Sequence, residues 1–380
     1  MQVINKILYA IGISLALLFQ SCISEYIPDD LDVMEDLLVV SGCITPGETI
    51  IKISKSVSLY DDLSDDRYVN NAIVSVECDN GSTYEDVQLI GNGTYLIKVP
   101  SFDQDSKYRI KVSYDNEIYY SEYLPPLITP EINNLSWEKN EQEASVSIFA
   151  SSKNNESESQ YYRWAFDEVW EYNTELFAEG AYFIIDGERT FLETSLNTSY
   201  NSYYCWGRVP SSGLIIGTSE KSVGGEVYSK INDIPTSSDK LSIMYLIKVK
   251  QYSIRKEAYD YFKILNDNIE NTGGLFSPIP SEINGNLRCE TDKDIRVIGY
   301  IDVSTIQRKD MFISGNENLY QPPVKTCTQE MRLEWTAPPS YLYYRSDFDY
   351  RYFAPPNCVD CRTYNYGSKN KPENWPTDNL

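Results

Sequence analysis

The chain has 380 residues and a formal net charge of −23, from 56 acidic and 33 basic residues. Such an acidic chain is not expected to bind nucleic acid, or anionic lipid through a basic patch, because both partners need clustered Lys and Arg. Histidine is absent, which excludes Ser-His-Asp and Cys-His catalysis and the commonest transition-metal ligand. We therefore expect no enzyme activity, no catalytic residue, no metal site and no cofactor, with a hydrolase using carboxylates alone as a minor alternative.

The first 22 residues predict a lipoprotein signal. Lys6 precedes the apolar run Ile7–Phe19, which is too short for a membrane-spanning helix of ~20 apolar residues. Ser21 directly before Cys22 is typical of a bacterial lipoprotein signal, in which the peptide is cut before the cysteine and the thiol is lipidated. We expect residues 1–21 to be removed and Cys22 to anchor the chain in the membrane. The alternative is a soluble secreted protein.

Residues 22–36 predict an acidic tether. Seven acidic residues lie between Ile23 and Glu48, and no Lys or Arg occurs there before Lys52. A charge run of this kind is typical of a solvated, flexible segment. Acidic residues soon after a lipidated cysteine also resemble the surface-export signal of Bacteroidota lipoproteins. This resemblance implies a lipid-anchored protein of the outer membrane that faces the cell surface. The alternative is that it faces the periplasm.

Period-two alternation predicts a mostly β body. The apolar run Leu38–Ile44 and the alternating segments 72–78 and 108–114 predict strands. Turn signals separate such segments at 79–81, 91–93 and 115–116. Short strands at this spacing predict an N-terminal immunoglobulin-like β-sandwich over residues 37–124. Pro125-Pro126 then predicts a stiff hinge.

A larger β-rich domain is predicted over residues 127–380. Alternating segments predict further strands near 144–148, 241–251, 295–303 and 331–335. One inserted helix is predicted near 254–270, with Ser253 as its N-cap. Its apolar stripe comprises Ile254, Ala258, Tyr261, Phe262, Leu265 and Ile269. The tail is rich in Tyr, Pro and Asn and predicts an irregular coil pinned by cysteines.

Seven cysteines follow Cys22, and four of them are disulfide candidates: Cys205, Cys327, Cys358 and Cys361. Cys358 and Cys361 form a Cys-x-x-Cys pair. Three alternatives fit such a pair: a redox motif, half of a zinc site, or a structural staple, in which one or both cysteines form disulfides to Cys205 or Cys327. The strand-helix setting of a thioredoxin site and a second Cys-x-x-Cys pair are both missing, which favours the staple. Cys43 and Cys78 are expected to be small core residues or a strand-to-strand bridge.

The tail also contains a dense aromatic stretch between residues 341 and 353. Within it, Tyr343, Tyr344 and Tyr350 are the candidate binding aromatics. Exposed Tyr side chains stack on sugar rings or form protein interfaces. The alternative is that they are core residues, since aromatics favour strands.

An ordered set of short segments resembles one known family. The set comprises Tyr161–Trp164, Cys205-Trp206, 249–252, 257–259, 274–278, 285–286, 297–300 and 358–362, followed by Lys371-Pro372 and Trp375. It resembles a Bacteroidota outer-membrane lipoprotein family catalogued as domain of unknown function 4249. Tyr366-Gly367-Ser368 departs from the Gly-Gly that the family shows after the Cys-x-x-Cys pair. The resemblance implies a non-catalytic accessory or cargo-binding partner of a TonB-dependent transporter. The alternative is an independent surface glycan-binding lipoprotein.

Overall fold

A computed structural model describes residues 37–56, 67–153, 159–178, 180–193, 201–211, 213–222, 224–271, 285–323, 327, 330–333, 342–347 and 350–376. Cys22, the predicted signal peptide and the predicted tether lie outside the described residues. The fold is mostly β, as predicted. In the described part of the chain, no helix combines the length and the apolar character needed to cross a membrane.

The strands are β1 Leu38–Ile44, β2 Gly47–Lys55, β3 Ile73–Cys78, β4 Thr83–Tyr84, β5 Val87–Gly91, β6 Thr94–Val99, β7 Tyr108–Tyr114, β8 Glu117–Ser121, β9 Asn134–Asn140, β10 Ser145–Lys153, β11 Tyr161–Asn173, β12 Gly180–Ile185, β13 Glu188–Glu193, β14 Tyr204–Pro210, β15 Ile215–Thr218, β16 Glu226–Pro235, β17 Met244–Ile254, β18 Leu287–Cys289, β19 Val297–Ile298, β20 Ile301–Val303, β21 Ile306–Ser314, β22 Glu330–Leu333, β23 Leu342–Asp347 and β24 Tyr350–Ala354. The helices are α1 Lys256–Asn271 and α2 Pro356–Val359, with 3-10 turns at Asp239–Leu241, Gly315–Glu317 and Cys361–Thr363.

The first β-sandwich packs two sheets around one core. One sheet has the order β19-β1-β2-β6-β5, with β20 also paired to β1, and the other has the order β18-β8-β7-β3-β4. Ile51 and Ile97 from the first sheet and Val76 and Ile110 from the second are fully buried in a shared cluster. The alternating residues of β3 and β7 thus bury one face each, which confirms the predicted strands and the predicted sandwich.

The first sandwich is completed by strands that come from much later in the chain. β19 and β20 pair in parallel with β1, and β18 pairs with β8. The sequence-based division placed residues 287–303 in the larger domain, because alternation predicts a strand but does not identify its pairing partner. Gly299 lies beside β1 with φ of +146°, and a Cβ there would overlap the carbonyl oxygen of Val40. Glycine is therefore required where the returning chain meets β1.

The second sandwich contains the largest aromatic core. Its sheets have the orders β16-β10-β9 and β14-β11-β17-β21, with β15 also paired to β11. Trp164, Trp170 and Tyr245 are at most 1% exposed and pack in this cluster. The buried carboxylate of Glu168 accepts hydrogen bonds from the Tyr245 hydroxyl and the Lys240 ammonium, both at 2.7 Å. These partners offset the cost of removing the charge from water.

The predicted helix is present, but its start differs from the sequence-based position. Ser253, the predicted N-cap, lies inside β17, and its backbone N–H donates to Thr129 Oγ1 at 2.9 Å. Strand pairing with β11 extends as far as Ile254, so the helix begins only at Lys256. The first four residues of the predicted apolar stripe, Ile254, Ala258, Tyr261 and Phe262, are buried in one cluster, whereas Leu265 is half-buried.

The segment after the Pro125-Pro126 pair is hydrogen-bonded on both sides. The N–H of Leu127 donates to Val303 O, and the N–H of Thr305 donates to Leu127 O, both at 2.9 Å. Buried Asp302 accepts a 2.8 Å hydrogen bond from the backbone N–H of Arg255 and forms an ion pair with its guanidinium. The same guanidinium donates to Pro125 O. The predicted hinge is therefore tied to both sandwiches.

The tail differs in part from the predicted irregular coil. Strands β22, β23 and β24 join the β12-β13 hairpin in a five-stranded sheet of order β13-β12-β23-β24-β22. The described residues after β24 form short helices, turns and coil. Strand β22 matches the strand predicted near 331–335, whereas β23 and β24 fall where composition predicted coil because Pro and Asn lie nearby. Long-range pairing with β12 and between the tail strands makes them regular.

Candidate functional site

One disulfide holds the tail to the second sandwich, and another closes a loop within the tail. Cys205 in β14 is bonded to Cys361, with 5.8 Å between their Cα atoms, and Cys327 is bonded to Cys358, with 5.7 Å. All four disulfide candidates are therefore paired, and the prediction of a disulfide-pinned tail is confirmed. Both members of the Cys-x-x-Cys pair bond to distant cysteines. The motif is thus a structural staple, and its thiols are unavailable as zinc ligands or as an internal redox pair.

The remaining cysteines of the described chain have no disulfide partner. Cys43 is half-buried, while Cys78 and Cys289 are buried in the core of the first sandwich. The expectation of small core residues thus describes Cys78, and the structure contains no Cys43–Cys78 bridge. Burial, reinforced by the nearby Asp302 carboxylate, raises the pKa of Cys43 to about 12.

An aromatic cluster packs the tail against the second sandwich next to the Cys205–Cys361 disulfide. The Tyr172 hydroxyl donates to Cys361 O at 2.7 Å, and the rings of Tyr172 and Tyr366 meet edge-on at 5.5 Å. A Cβ at Gly367 would overlap both Cys361 O and the Tyr172 hydroxyl oxygen. Gly367 therefore provides the glycine that is required where the chain passes closest to the disulfide.

The candidate binding aromatics Tyr343, Tyr344 and Tyr350 lie in the tail sheet. Tyr343 is paired with Phe353 of β24, and Tyr350 is paired with Asp347 of β23. The register shifts next to Tyr343, so Tyr344 lies at a β-bulge. The backbone thus brings the three tyrosines onto two adjacent strands.

A second group of tyrosines surrounds an open cleft that we call the tyrosine cleft. Tyr161 begins β11, Tyr228 lies in β16 and Tyr259 lies in the first turns of α1. The cleft has a volume of about 550 Å³. The rings of Tyr161 and Tyr259 are 5.1 Å apart, while Tyr228 is 56% exposed and stacks on Phe149 at 4.9 Å. Strands and a helix therefore hold three partly exposed rings around one opening.

Charged groups of both signs lie beside these rings. The polar residues that line the cleft include Glu220, Lys221, Glu226, Lys256, Asp260 and Lys263. Lys256 and Asp260 form an i, i+4 ion pair at 2.5 Å, which raises the pKa of Lys256. Partial burial and the Glu220 carboxylate raise the pKa of Tyr161, so its hydroxyl remains a hydrogen-bond donor at neutral pH. Rings, donors and acceptors together are the groups that bind a polyhydroxylated ligand.

Sequence reasoning missed the tyrosine cleft. Tyr161 and Tyr259 belonged to segments that supported the family resemblance, and neither was assigned a binding role. One signal was available, because Tyr259 is an aromatic residue of the helix that lies outside its apolar stripe. Tyr228 carried no such signal. Within the described residues, no group of three or more Cys, Asp or Glu side chains is arranged to hold a metal ion.

Comparison with known proteins identifies the family. No curated protein matches the chain. One family model matches residues 24–310, beginning just after Cys22 and ending within β21, before the disulfide-pinned tail. The match includes both sandwiches, the Tyr161 and Tyr259 segments and helix α1. The chain therefore belongs to the family described as domain of unknown function (DUF4249).

Proposed function

We propose that the protein is a non-catalytic lipoprotein of the outer-membrane surface that binds cargo for a TonB-dependent transporter. The observation that carries the binding role is the tyrosine cleft, in which three rings and several charged groups line one opening. Rings that flank an open cleft suit the apolar faces of sugar rings, and the neighbouring carboxylates and ammonium groups suit their hydroxyls. The proposed cargo is therefore a carbohydrate.

The proposed anchor is the lipid on Cys22. Two or more acyl chains hold a protein on a membrane without a transmembrane helix. The acidic segment 22–36 would then act as a flexible tether with a root-mean-square reach of about 20 Å. This reach lets the folded part of the chain contact a neighbouring membrane protein while the anchor stays in the outer leaflet.

The tail sheet is the proposed transporter-binding surface. Tyr343, Tyr344 and Tyr350 are on adjacent strands there, and Tyr is enriched in protein interfaces. A stable interface needs about 1,200–2,000 Å² of total buried area. This role is separate from the carbohydrate role of the tyrosine cleft, so the two can be tested independently.

The alternative is an independent surface glycan-binding lipoprotein that uses the same tyrosine cleft. The double variant Tyr161→Ala/Tyr259→Ala should lose binding on a glycan array, while the matched control Tyr120→Ala on β8 of the first sandwich should keep it. Absence of glycan binding by the wild-type protein would contradict both proposed functions.

A triple variant of Tyr343, Tyr344 and Tyr350 to Ala should lose co-purification with a transporter after mild detergent extraction.

These two measurements separate the candidates. Glycan binding together with transporter recovery that depends on the three tail tyrosines supports the cargo-binding role. Glycan binding without any co-purified transporter favours the independent lipoprotein. Transporter recovery that is unchanged in the triple variant would refute the assignment of the tail sheet as the contact surface.

A further inference from the structure

A second cleft lies between the two sandwiches, and its lining is basic. We call it the basic cleft. It has a volume of about 450 Å³ and is lined by β1 and β2 of the first sandwich and by β11, β17 and β21 of the second. Its charged lining residues are Lys52, Arg163, Lys250, Arg308 and Glu48. The lining therefore has four cationic side chains and one carboxylate. This charge balance is opposite to that of the whole chain, in which acidic residues outnumber basic residues by 56 to 33.

Strand pairing brings these cations together. Arg163 in β11 is opposite Tyr252 in β17, and Lys250, two residues before Tyr252 in β17, is opposite Arg308 in β21. These residues lie on the face of the sheet opposite the buried Trp164 and Val249. The first sandwich covers this face and contributes Lys52 from β2. The basic cleft is thus a consequence of how the two sandwiches meet.

Most of this positive charge is not neutralised within the protein. Lys250 pairs with Asp167 at 2.8 Å. In the described part of the chain, Arg163, Arg308 and Lys52 have no carboxylate partner, and the Lys52 ammonium lies 5.1 Å from the centroid of the Tyr68 ring. Arg163 is half-buried and packs over Phe262, with 5.2 Å from its guanidinium carbon to the ring centroid. The ring holds the guanidinium in place and leaves its charge uncompensated.

Two titratable groups of the basic cleft, Tyr252 and Cys43, are neutral proton donors. Burial raises the pKa of Tyr252 to about 12, even though Arg163 and Arg308 lower it, so the hydroxyl keeps its proton at neutral pH. The raised pKa of the Cys43 thiol keeps it neutral as well. Neither group therefore cancels the charge of the arginines. Guanidinium groups and a hydroxyl donor together are the set that binds oxyanions.

We propose that the basic cleft binds a small, soluble oxyanion, with Arg163 and Arg308 as the principal ligands and Lys52 and Tyr252 as supporting donors. A volume of about 450 Å³ is within the range of small-molecule sites. The ligand class is a molecule bearing a carboxylate, sulfate or phosphate group. This site is distinct from the tyrosine cleft and does not depend on the proposed carbohydrate role.

The test is calorimetric titration of the soluble Cys22→Ala protein with inorganic phosphate, sulfate and citrate at low ionic strength. At least one probe should bind saturably, and its affinity should fall as NaCl is added, because salt screens exposed charges. Arg308→Gln and Arg163→Gln should each weaken binding by about tenfold or more, the expected loss for a charge-assisted hydrogen bond. Arg163→Lys, which keeps the charge but not the planar fork, should give a smaller loss.

Lys230→Gln is the matched control, because Lys230 is an exposed strand lysine on β16, in the other sheet of the second sandwich. It removes one positive charge and should leave binding unchanged. Arg308 is exposed, so its substitution should not alter the thermal midpoint and the result does not depend on folding. Failure of all three probes to bind, or equal binding by the Arg308→Gln variant and the wild type, would overturn the proposal. Tighter binding of phosphate than citrate would identify a tetrahedral oxyanion, and the reverse a carboxylate.

Discussion

Removing the Cys205–Cys361 disulfide should destabilise the protein more than removing Cys327–Cys358. The two bonds close loops of different length, with sequence separations of 156 and 31. In the chain-entropy model, the longer loop contributes about 5 kcal/mol and the shorter about 4 kcal/mol to the free energy of unfolding. The difference follows from the logarithmic dependence of loop-closure entropy on loop length. The expected order is therefore set by where the cysteines lie in the chain.

The assay is urea unfolding of two double variants, Cys205→Ser/Cys361→Ser and Cys327→Ser/Cys358→Ser, both in the soluble Cys22→Ala background. A thiol titration of the denatured, unreduced parent protein provides the control for pairing. It should detect three thiols, those of Cys43, Cys78 and Cys289. More than three thiols would refute the pairing. Equal stability of the first double variant and its parent would refute the argument that the tail is stapled through β14.

Three further predictions concern the proposed lipid anchor on Cys22, the Arg255–Asp302 ion pair and the half-buried thiol of Cys43. Cys22→Ala should abolish incorporation of a palmitate analogue and membrane retention, and labelled variant protein would contradict the lipoprotein assignment. Arg255→Ala should cost about 3–5 kcal/mol in urea unfolding, because it leaves the Asp302 carboxylate buried and unpaired, whereas Arg255→Ala combined with Asp302→Asn should recover part of that loss. The Cys43 thiol should resist iodoacetamide in the native protein at pH 8, since its pKa is raised from 9.0 to about 12, and become reactive on unfolding. Because the folded state holds this proton more tightly, the contribution of Cys43 to stability should fall as the pH rises above 9, and native alkylation at pH 8 as fast as that of the unfolded chain would contradict the raised pKa.

Much of the fold was predictable from local patterns. An apolar run identified β1, and alternation identified β3 and β7, because a strand with one buried face places apolar residues at every second position. The apolar stripe identified α1 for the equivalent reason at helical spacing. The cysteine pattern identified the four residues that staple the tail. Each of these signals is local: it comes either from the spacing of apolar residues along the chain or from cysteine, whose thiol can form a disulfide.

The candidate sites were much less predictable. Tyr343, Tyr344 and Tyr350 were chosen for their density in the sequence, and the backbone places them on adjacent strands. The tyrosine cleft combines residues from β11, β16 and α1, and the basic cleft combines residues from both sandwiches. No local pattern links Lys52 with Arg163 and Arg308, because their proximity results from sheet register and from the packing of one sandwich on the other.

The sequence by itself determined an acidic, histidine-free, mostly β chain with a cysteine-rich tail, and it predicts a lipoprotein signal at the N-terminus. The tertiary structure alone decided which strands, cysteines and charged residues of the chain come together. It returned β18 to β20 to the first sandwich, paired Cys205 with Cys361, and placed half-buried Arg163 in a cleft with little compensating charge. The physical reason is that periodicity reports which face of a segment is buried, whereas pairing and clefts depend on contacts between segments that lie more than a hundred residues apart.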